Sequence, residues 1–346
     1  MIGRAAAIVA VALAVALVVA PLCGCGRPEG SPARDGEAAP ETPPEGAGKV
    51  PEVLFVPDYP ASAQNPAFSP KGDKVLFTLF HSAYNHGPAG LYLLDLESGA
   101  IRALLDEADH DSVNLPGSCW NAATGRIVFS SDREEGEEIW TMDEEGGGLF
   151  RVTRHGPGFS RIEPSFSPDG QWVVFEVVGG EGGGQGRHGI WKVRIDGTGL
   201  TALRGDPASG SDDRQPNWSP AGDRILFQSR SSGGGDWDIC TMSVDGGDVR
   251  RVTGAPSEDT DASWSPDGRL IVYSSDYGGL PNPEIFVIPA EGGTPVRLTF
   301  AEDYYKGAPS FSPDGRYVAF EARLSRDEGS PTVIMRVRVP ESMRVP

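Results

Sequence analysis

From Val50 to the C-terminus, short apolar runs rich in Val, Ile, Phe and Trp alternate with clusters of Gly, Pro, Asp and Ser. Runs of about 4–8 residues bounded by such turn signals read as β-strands. The runs also recur in one order. PAFSPKGDKVLF from Pro66, PGSCWNAATGRIVF from Pro116, PSFSPDGQWVVF from Pro164, PNWSPAGDRILF from Pro216, ASWSPDGRLIVY from Ala262 and PSFSPDGRYVAF from Pro309 are six versions of one phrase. Their aromatic markers Phe68, Trp120, Phe166, Trp218, Trp264 and Phe311 are 52, 46, 52, 46 and 47 residues apart, a period expected of propeller blades. No helical periodicity follows the first residues of the chain.

Each repeat continues with a second apolar run, a variable polar loop, a third run such as EIWTMD or EIFVIPAEGG, and a short RVT or VRLT segment. That makes four strands per unit, joined by Pro-Asp-Gly and Asp-Gly-Gly turns in which glycine supplies a positive φ. An all-β, six-bladed β-propeller of four-stranded antiparallel blades is predicted, since a closed ring leaves no large unpaired edge. A monomer is the corresponding expectation. The last repeat supplies strands over about 309–312, 316–323 and 332–339 and then lacks its fourth, RLT-like strand. Val53 to Val56 is predicted to fill that place and close the ring.

Residues 1–24 have the order of a secretory signal: Arg4, an apolar stretch of Ala, Val and Leu, then small residues and cysteine. A retained membrane anchor is the alternative, because about 16–19 apolar residues approach the length of a bilayer span. Leu22-Cys23-Gly24-Cys25 resembles the lipobox of bacterial lipoproteins, and Cys25 fits acylation better than Cys23, which would place Leu22 where a small residue is preferred. Either route puts the propeller outside the cytoplasm, at the cell envelope. Residues 25–49, the acylated cysteine and the stretch GRPEGSPARDGEAAPETPPEGAGK, hold no aromatic or large aliphatic side chain and read as a disordered tether. Residues 50–346 form the propeller.

Charge narrows the partners. With 49 acidic and 30 basic residues the formal charge is −19, which repels phosphate backbones and anionic lipid alike. Nucleic acid is therefore not expected as a partner, and membrane attachment is left to the lipid. Cys119 and Cys240 fall in blades two and four, too far apart for a disulfide.

The string P-x-W/F-S-P-D-G-x-x-I/V-x-F, followed by S-D-R-x-x-G and I-W-x-M-D-x-x-G-G, resembles the repeat of TolB-type β-propellers, the periplasmic component of the Tol–Pal system. The likeness covers residues 50–339, with 130–153 and 275–299 as its best copies; blade two writes WNAATG for WSPDG. It implies a protein-binding scaffold. The TolB N-terminal α/β domain has no counterpart in the sequence. The same repeat occurs in peptidase propellers and lyases, and oligogalacturonate lyases bind a divalent metal through histidines on one face.

Strand order puts the strand-two-to-three and blade-to-blade loops on one face, where they are long and variable, the usual setting for function. All five histidines, His81, His86, His110, His155 and His188, lie there, without the short spacing of a recognised metal motif. Asp212-Asp213, Glu258-Asp259-Asp261 and Glu302-Asp303 carry oxygen ligands suited to calcium, but such runs are more often solvated charge. No cofactor is expected on this reading. Gln64, Asn114, Arg161, Arg214, Asp261 and Lys306, each just before a first strand, are expected at matching places around the channel mouth. Tyr304, Tyr305 and Phe159 stand nearby. The function expected is non-catalytic binding of an envelope protein or peptide. The alternatives are a metal-dependent polysaccharide lyase of the oligogalacturonate type and a carbohydrate-binding or sensing module. No G-x-S-x-G elbow supports a serine peptidase.

Overall fold

The computed structural model describes residues 50–58, 60–85, 87–105, 113–114, 119–134, 136–154, 158–179, 189–205, 211–231, 234–300, 305–323, 325 and 330–344. After β1 (Glu52–Phe55), blade one is β2 (Ser62–Phe68), β3 (Lys74–Phe80), β4 (Ala89–Asp95) and β5 (Ile101–Leu105). In blade two, β6 (Val113–Asn114) and β7 (Trp120–Asn121) both pair with β8 (Arg126–Glu134), followed by β9 (Gly136–Asp143) and β10 (Phe150–Arg151). Blade three is β11 (Phe159–Phe166), β12 (Trp172–Gly179), β13 (Gly189–Arg194) and β14 (Thr201–Ala202). Blade four is β15 (Ser211–Trp218), β16 (Arg224–Ser231), β17 (Asp238–Ser243) and β18 (Arg250–Arg251). Blade five is β19 (Asp259–Trp264), β20 (Leu270–Ser275), β21 (Glu284–Pro289) and β22 (Val296–Arg297). Blade six is β23 (Lys306–Phe311), β24 (Tyr317–Arg323), β25 (Thr332–Arg338) and β1.

The ring closes as the sequence indicates. β1 lies antiparallel to β25, with Glu52 opposite Arg336, Val53 opposite Met335 and Phe55 opposite Ile334. Arg336 Nε donates to Glu52 Oε2 at 2.7 Å, and Ser62 Oγ meets Thr332 Oγ1 between blades one and six. First strands of adjacent blades touch, β11 with β15, β15 with β19, β19 with β23 and β23 with β2, which sets these strands nearest the axis.

Each blade fully buries the aromatic ring at one matching place of its second strand: Phe77, Phe129, Phe175, Phe227, Tyr273 and Phe320. Each stands nine positions after its marker, as Phe77 does after Phe68. Rings held this way contribute about 1.5–3 kcal/mol apiece by burial. At the first turn of blade three, Ser167 Oγ donates to Asp169 Oδ1 at 2.6 Å, and Asp169 accepts the Gln171 amide at 3.0 Å. These bonds hold the Asp169 carboxyl below its ordinary range. Gly170 sits at φ +68, and a Cβ there would come within 2.6 Å of Thr124 in the neighbouring blade.

The RVT and RLT segments fasten the outer strand of a blade to its own third strand. Thr153, Thr253 and Thr299 each accept the amide of the third strand's first isoleucine at 2.9 Å (Ile139, Ile239, Ile285). Arg151, Arg251 and Arg297 each donate Nε to that threonine's carbonyl. An acid at the start of the third strand receives the arginine: Glu138 from Arg151 at 3.3 Å, Asp238 from Arg251 at 2.9 Å and Glu284 from Arg297 at 3.3 Å. Cys119 and Cys240 are free and buried, and burial pushes both thiols up to about 12.

Candidate functional site: a polar ring at the channel axis

In five blades the first strand breaks register two residues before its marker aromatic, where two residues bulge. The first bulged residue is Asn65, Glu163, Gln215, Asp261 or Ala308, at φ of 53, 52, 49, 54 and 46°. These are five of the seven non-glycine residues with positive φ among those described. An L-residue in this region costs roughly 1–2 kcal/mol, least for Asn and Asp. Such bulges re-aim side chains. All five residues line one small cavity of about 30 Å³, together with Asn217 and Ser263.

The preceding blade's second strand supplies the partner for several bulge amides. Glu321 accepts from the Asn65 amide at 3.0 Å, Glu176 from Gln215 at 3.1 Å and Gln228 from Asp261 at 3.2 Å. In blade five the equivalent residue is the short Ser274, which bonds the Lys306 carbonyl, and Asp261 Oδ2 reaches the Ala308 amide at 3.3 Å. Glu321 also accepts from Tyr84 Oη at 3.1 Å, and Tyr84 packs edge-on against Tyr305 with Arg323 over both rings. Burial, with a smaller contribution from the Asp261 charge, raises the Glu321 carboxyl to about 7. Burial also raises Asp261, which no cationic group offsets, and holds both tyrosines well above their ordinary values.

The six residues expected at matching places occupy three different ones. Arg161 and Lys306, with Asp213 and Asp259, come two residues before the bulge and are buried between blades. Lys306 Nζ lies 3.0 Å from Glu284, and Arg161 Nη1 lies 3.7 Å from Glu138. Gln64 and Arg214 come one residue before the bulge, and Asn114, opposite Ser130 as Arg214 is opposite Gln228, holds the corresponding pairing position in blade two. Gln64 is buried and donates to Ser62 Oγ at 3.2 Å, while Arg214 pairs with Asp212 at 2.9 Å over the Trp237 ring. The side chain of Asn114 lies outside the described residues, as do Cys25, Tyr304, His86, His110, His155 and His188. Asp261 alone of the six stands in the axial ring. Its equivalents, Asn65, Glu163, Gln215 and Ala308, are found by counting back one residue from the Pro or Ala that opens each repeat.

His81 packs beside Tyr92, ring centroids 6.4 Å apart. Asp213 and Asp259 are not solvated: Asp213 is buried against Arg204 at 2.7 Å, and Asp259 accepts from Ser257 and Ser275, while Glu302 and Asp303 lie outside the described residues. Burial raises Asp259 to about 7. Among the described residues no group of three His, Cys, Asp or Glu is placed to hold a metal ion.

A closed ring of six blades around a polar, bulge-lined axis defines a β-propeller of the binding and catalytic superfold class. Within that class the chain belongs to the TolB beta propeller domain family, whose pattern matches residues 52–235 and 209–342. Among solved structures it is similar to TolB from Acinetobacter baumannii, at 20% identity and TM-score 0.54 over 81% of this chain and 63% of that one. It is similar to an oligogalacturonate lyase in complex with manganese, at 16% identity and TM-score 0.56 over 84% and 93%. A puromycin-hydrolyzing peptidase of Mycobacterium tuberculosis matches at 19% identity and TM-score 0.55 over 83% and 47%. The chain thus spans less than two thirds of the TolB and peptidase chains. Likeness at these identities is likeness of fold.

Proposed function

We propose that the protein is a lipid-anchored module of the cell envelope, acylated at Cys25, whose variable-loop face and channel bind an extended peptide or a polar ligand without chemistry of its own. The observation that carries this is the axial ring. Strained, non-glycine left-handed backbone recurs in five blades and aims Asn65, Glu163, Gln215 and Asp261 into one cavity. Strain of this kind is retained at ligand clamps. The rim around it pairs charge with aromatic surface, as where Arg214 and Arg230 stack on Trp237, a composition suited to peptides. The manganese-bound lyase among the similar structures motivates a metal-dependent lyase as the rival.

The test is comparative capture from detergent-solubilised envelopes. A Glu163→Lys, Arg214→Glu double variant is expected to lose the partner with an unchanged melting temperature, while reversals at Asp169 and Asp314, in the short turns of the opposite face, retain it. Loss in the second pair alone puts binding on the other face. Cys25→Ser should abolish fatty-acid labelling; a variant still labelled places the anchor elsewhere.

A further inference from the structure

Arg230 and Arg323 hold the same place in their blades, three residues after the buried ring of the second strand. Both guanidiniums lie on aromatic rings of the variable-loop face. Arg230 Cζ is 4.4 Å from the Trp237 centroid, and Arg323 Cζ is 5.0 and 5.9 Å from those of Tyr84 and Tyr305. Their cross-strand neighbours differ. Arg230 stands opposite Asp212 and pairs with it at 3.2 Å. Opposite Arg323 is Tyr305, whose carbonyl accepts the Arg323 amide at 3.0 Å, so blade six lacks that aspartate. The acid two residues back along the strand, Glu321, is taken by other donors: Oε2 accepts the Asn65 amide at 3.0 Å, and Oε1 accepts from Tyr84 Oη at 3.1 Å. No carboxylate among the described residues pairs with the Arg323 guanidinium. Its Nε is shut off from solvent, while its two Nη groups are neither hydrogen-bonded nor shut off.

We propose that the Nη edge of Arg323 receives a carboxylate of the bound peptide, its C-terminus or an Asp or Glu side chain. The planar fork matches a carboxylate and gives it two parallel charge-assisted hydrogen bonds. The rings of Tyr84 and Tyr305 hold the guanidinium in place, so little conformational freedom is left to lose on binding. A phosphomonoester fits less well. It carries about two negative charges at neutral pH, and the charges of Asp261 and Glu321 already reach Tyr305. On a protein of formal charge −19, an unanswered cation is where an acidic group is attracted rather than repelled. Glu321 joins Tyr84 to Asn65 of the axial ring, so this deepens the peptide-binding proposal and rests on the loop face being its ligand-binding end.

Fluorine NMR of trifluorobutyrate with the intact protein tests this. The wild type should broaden the signal saturably, butyrate should reverse the broadening, and neutral trifluorobutyramide should show none. Arg323→Gln should weaken binding at least about tenfold, the loss of one bidentate ion pair. Arg323→Lys, which keeps the charge and loses the fork, should weaken it severalfold. Arg316→Gln, which removes an exposed charge from the short-turn face, should leave it unchanged. Melting temperatures equal to that of the wild type establish that the variants are folded. The proposal falls if the amide broadens as the acid does, or if either Arg323 variant binds as wild type. It falls if Arg316→Gln costs as much as Arg323→Gln, which is general attraction to positive charge, or if inorganic phosphate competes more strongly than butyrate. Amidated peptides carrying one Glu, and N-acetyl trialanine with a free C-terminus, separate the two sources by competition; if neither competes, the carboxylate is not a peptide's and the proposal falls. Because no partner is present, failure here leaves the capture result standing, and carboxylate binding without capture overturns the partner reading alone.

Discussion

Lys306 Nζ lies 3.0 Å from Glu284 Oε1 across the junction of blades five and six, and solvent reaches neither side chain. Arg297 meets the same carboxylate at 3.3 Å, so one acid from the end of a blade receives its own blade's arginine and the next blade's lysine. Arg151, Glu138 and Arg161 repeat this between blades two and three. Removing one member of a buried ion pair strands the other, at about 3–5 kcal/mol. Lys306→Met should therefore lower stability by about that amount in urea melts, and Lys306→Met with Glu284→Gln should recover part of it. If the double variant is as weak as the sum of the singles, Lys306 acts by packing rather than by charge.

Ring closure gives a second expectation. Deleting residues 50–57 removes β1 and exposes the edge of β25, so the midpoint of thermal unfolding should fall sharply. Deleting 26–48 should leave it unchanged. Equal midpoints for the two truncations mean that β1 is dispensable to closure.

Acidity should act through Glu321. Its carboxyl is raised by burial from an ordinary 4.5 to about 7, so the folded state binds its proton more tightly than the unfolded state. The stabilising contribution is complete below about pH 4.5 and is lost as pH rises through 7. Glu321→Gln, which keeps the hydrogen-bonding shape without the charge, should be more stable than wild type at pH 8, by up to about 3 kcal/mol, and gain little at pH 4.5. A difference that does not vary with pH between these values refutes the assignment. Asp259, also raised to about 7, remains in both proteins and cancels in the comparison.

Backbone strain at the axis can be measured where no polar group complicates it. Ala308 sits at φ +46 with only a methyl side chain. Ala308→Gly should relieve the left-handed strain and raise stability by up to about 1 kcal/mol after the entropy of glycine in the unfolded chain is subtracted. A fall in stability shows that the methyl's contacts outweigh the strain.

Blade number and ring closure were legible because both rest on recurrence: six markers, and a fourth strand missing at one end and present at the other. The axial ring was harder to see. Arg161, Arg214 and Lys306 are the conspicuous charges before each repeat, and spacing them by charge alone places them on one circle. Arg214 stands one residue nearer its bulge than Arg161 and Lys306 do, and in a strand a shift of one residue turns a side chain to the other face. Asp213 and Asp259 likewise read as solvated acids because the groups that cover them, Arg204 for one and Ser275 for the other, lie outside the strands that carry the acids and are brought over them only by the fold. Asn65, Glu163 and Gln215 carry the one usable signal, a polar residue directly before proline. It is visible only when the repeats are aligned at that proline.

The strand that completes blade six is also the first described strand of the chain, only four residues long and joined to its neighbour partly by Glu52 and Arg336. Any mechanical load transmitted along the segment preceding Val50 arrives at this seam before it reaches another blade. A pull on the N-terminus thus acts on the clasp of the ring. Under tension the molecule should yield first by opening between β1 and β25, with the other five blades still folded.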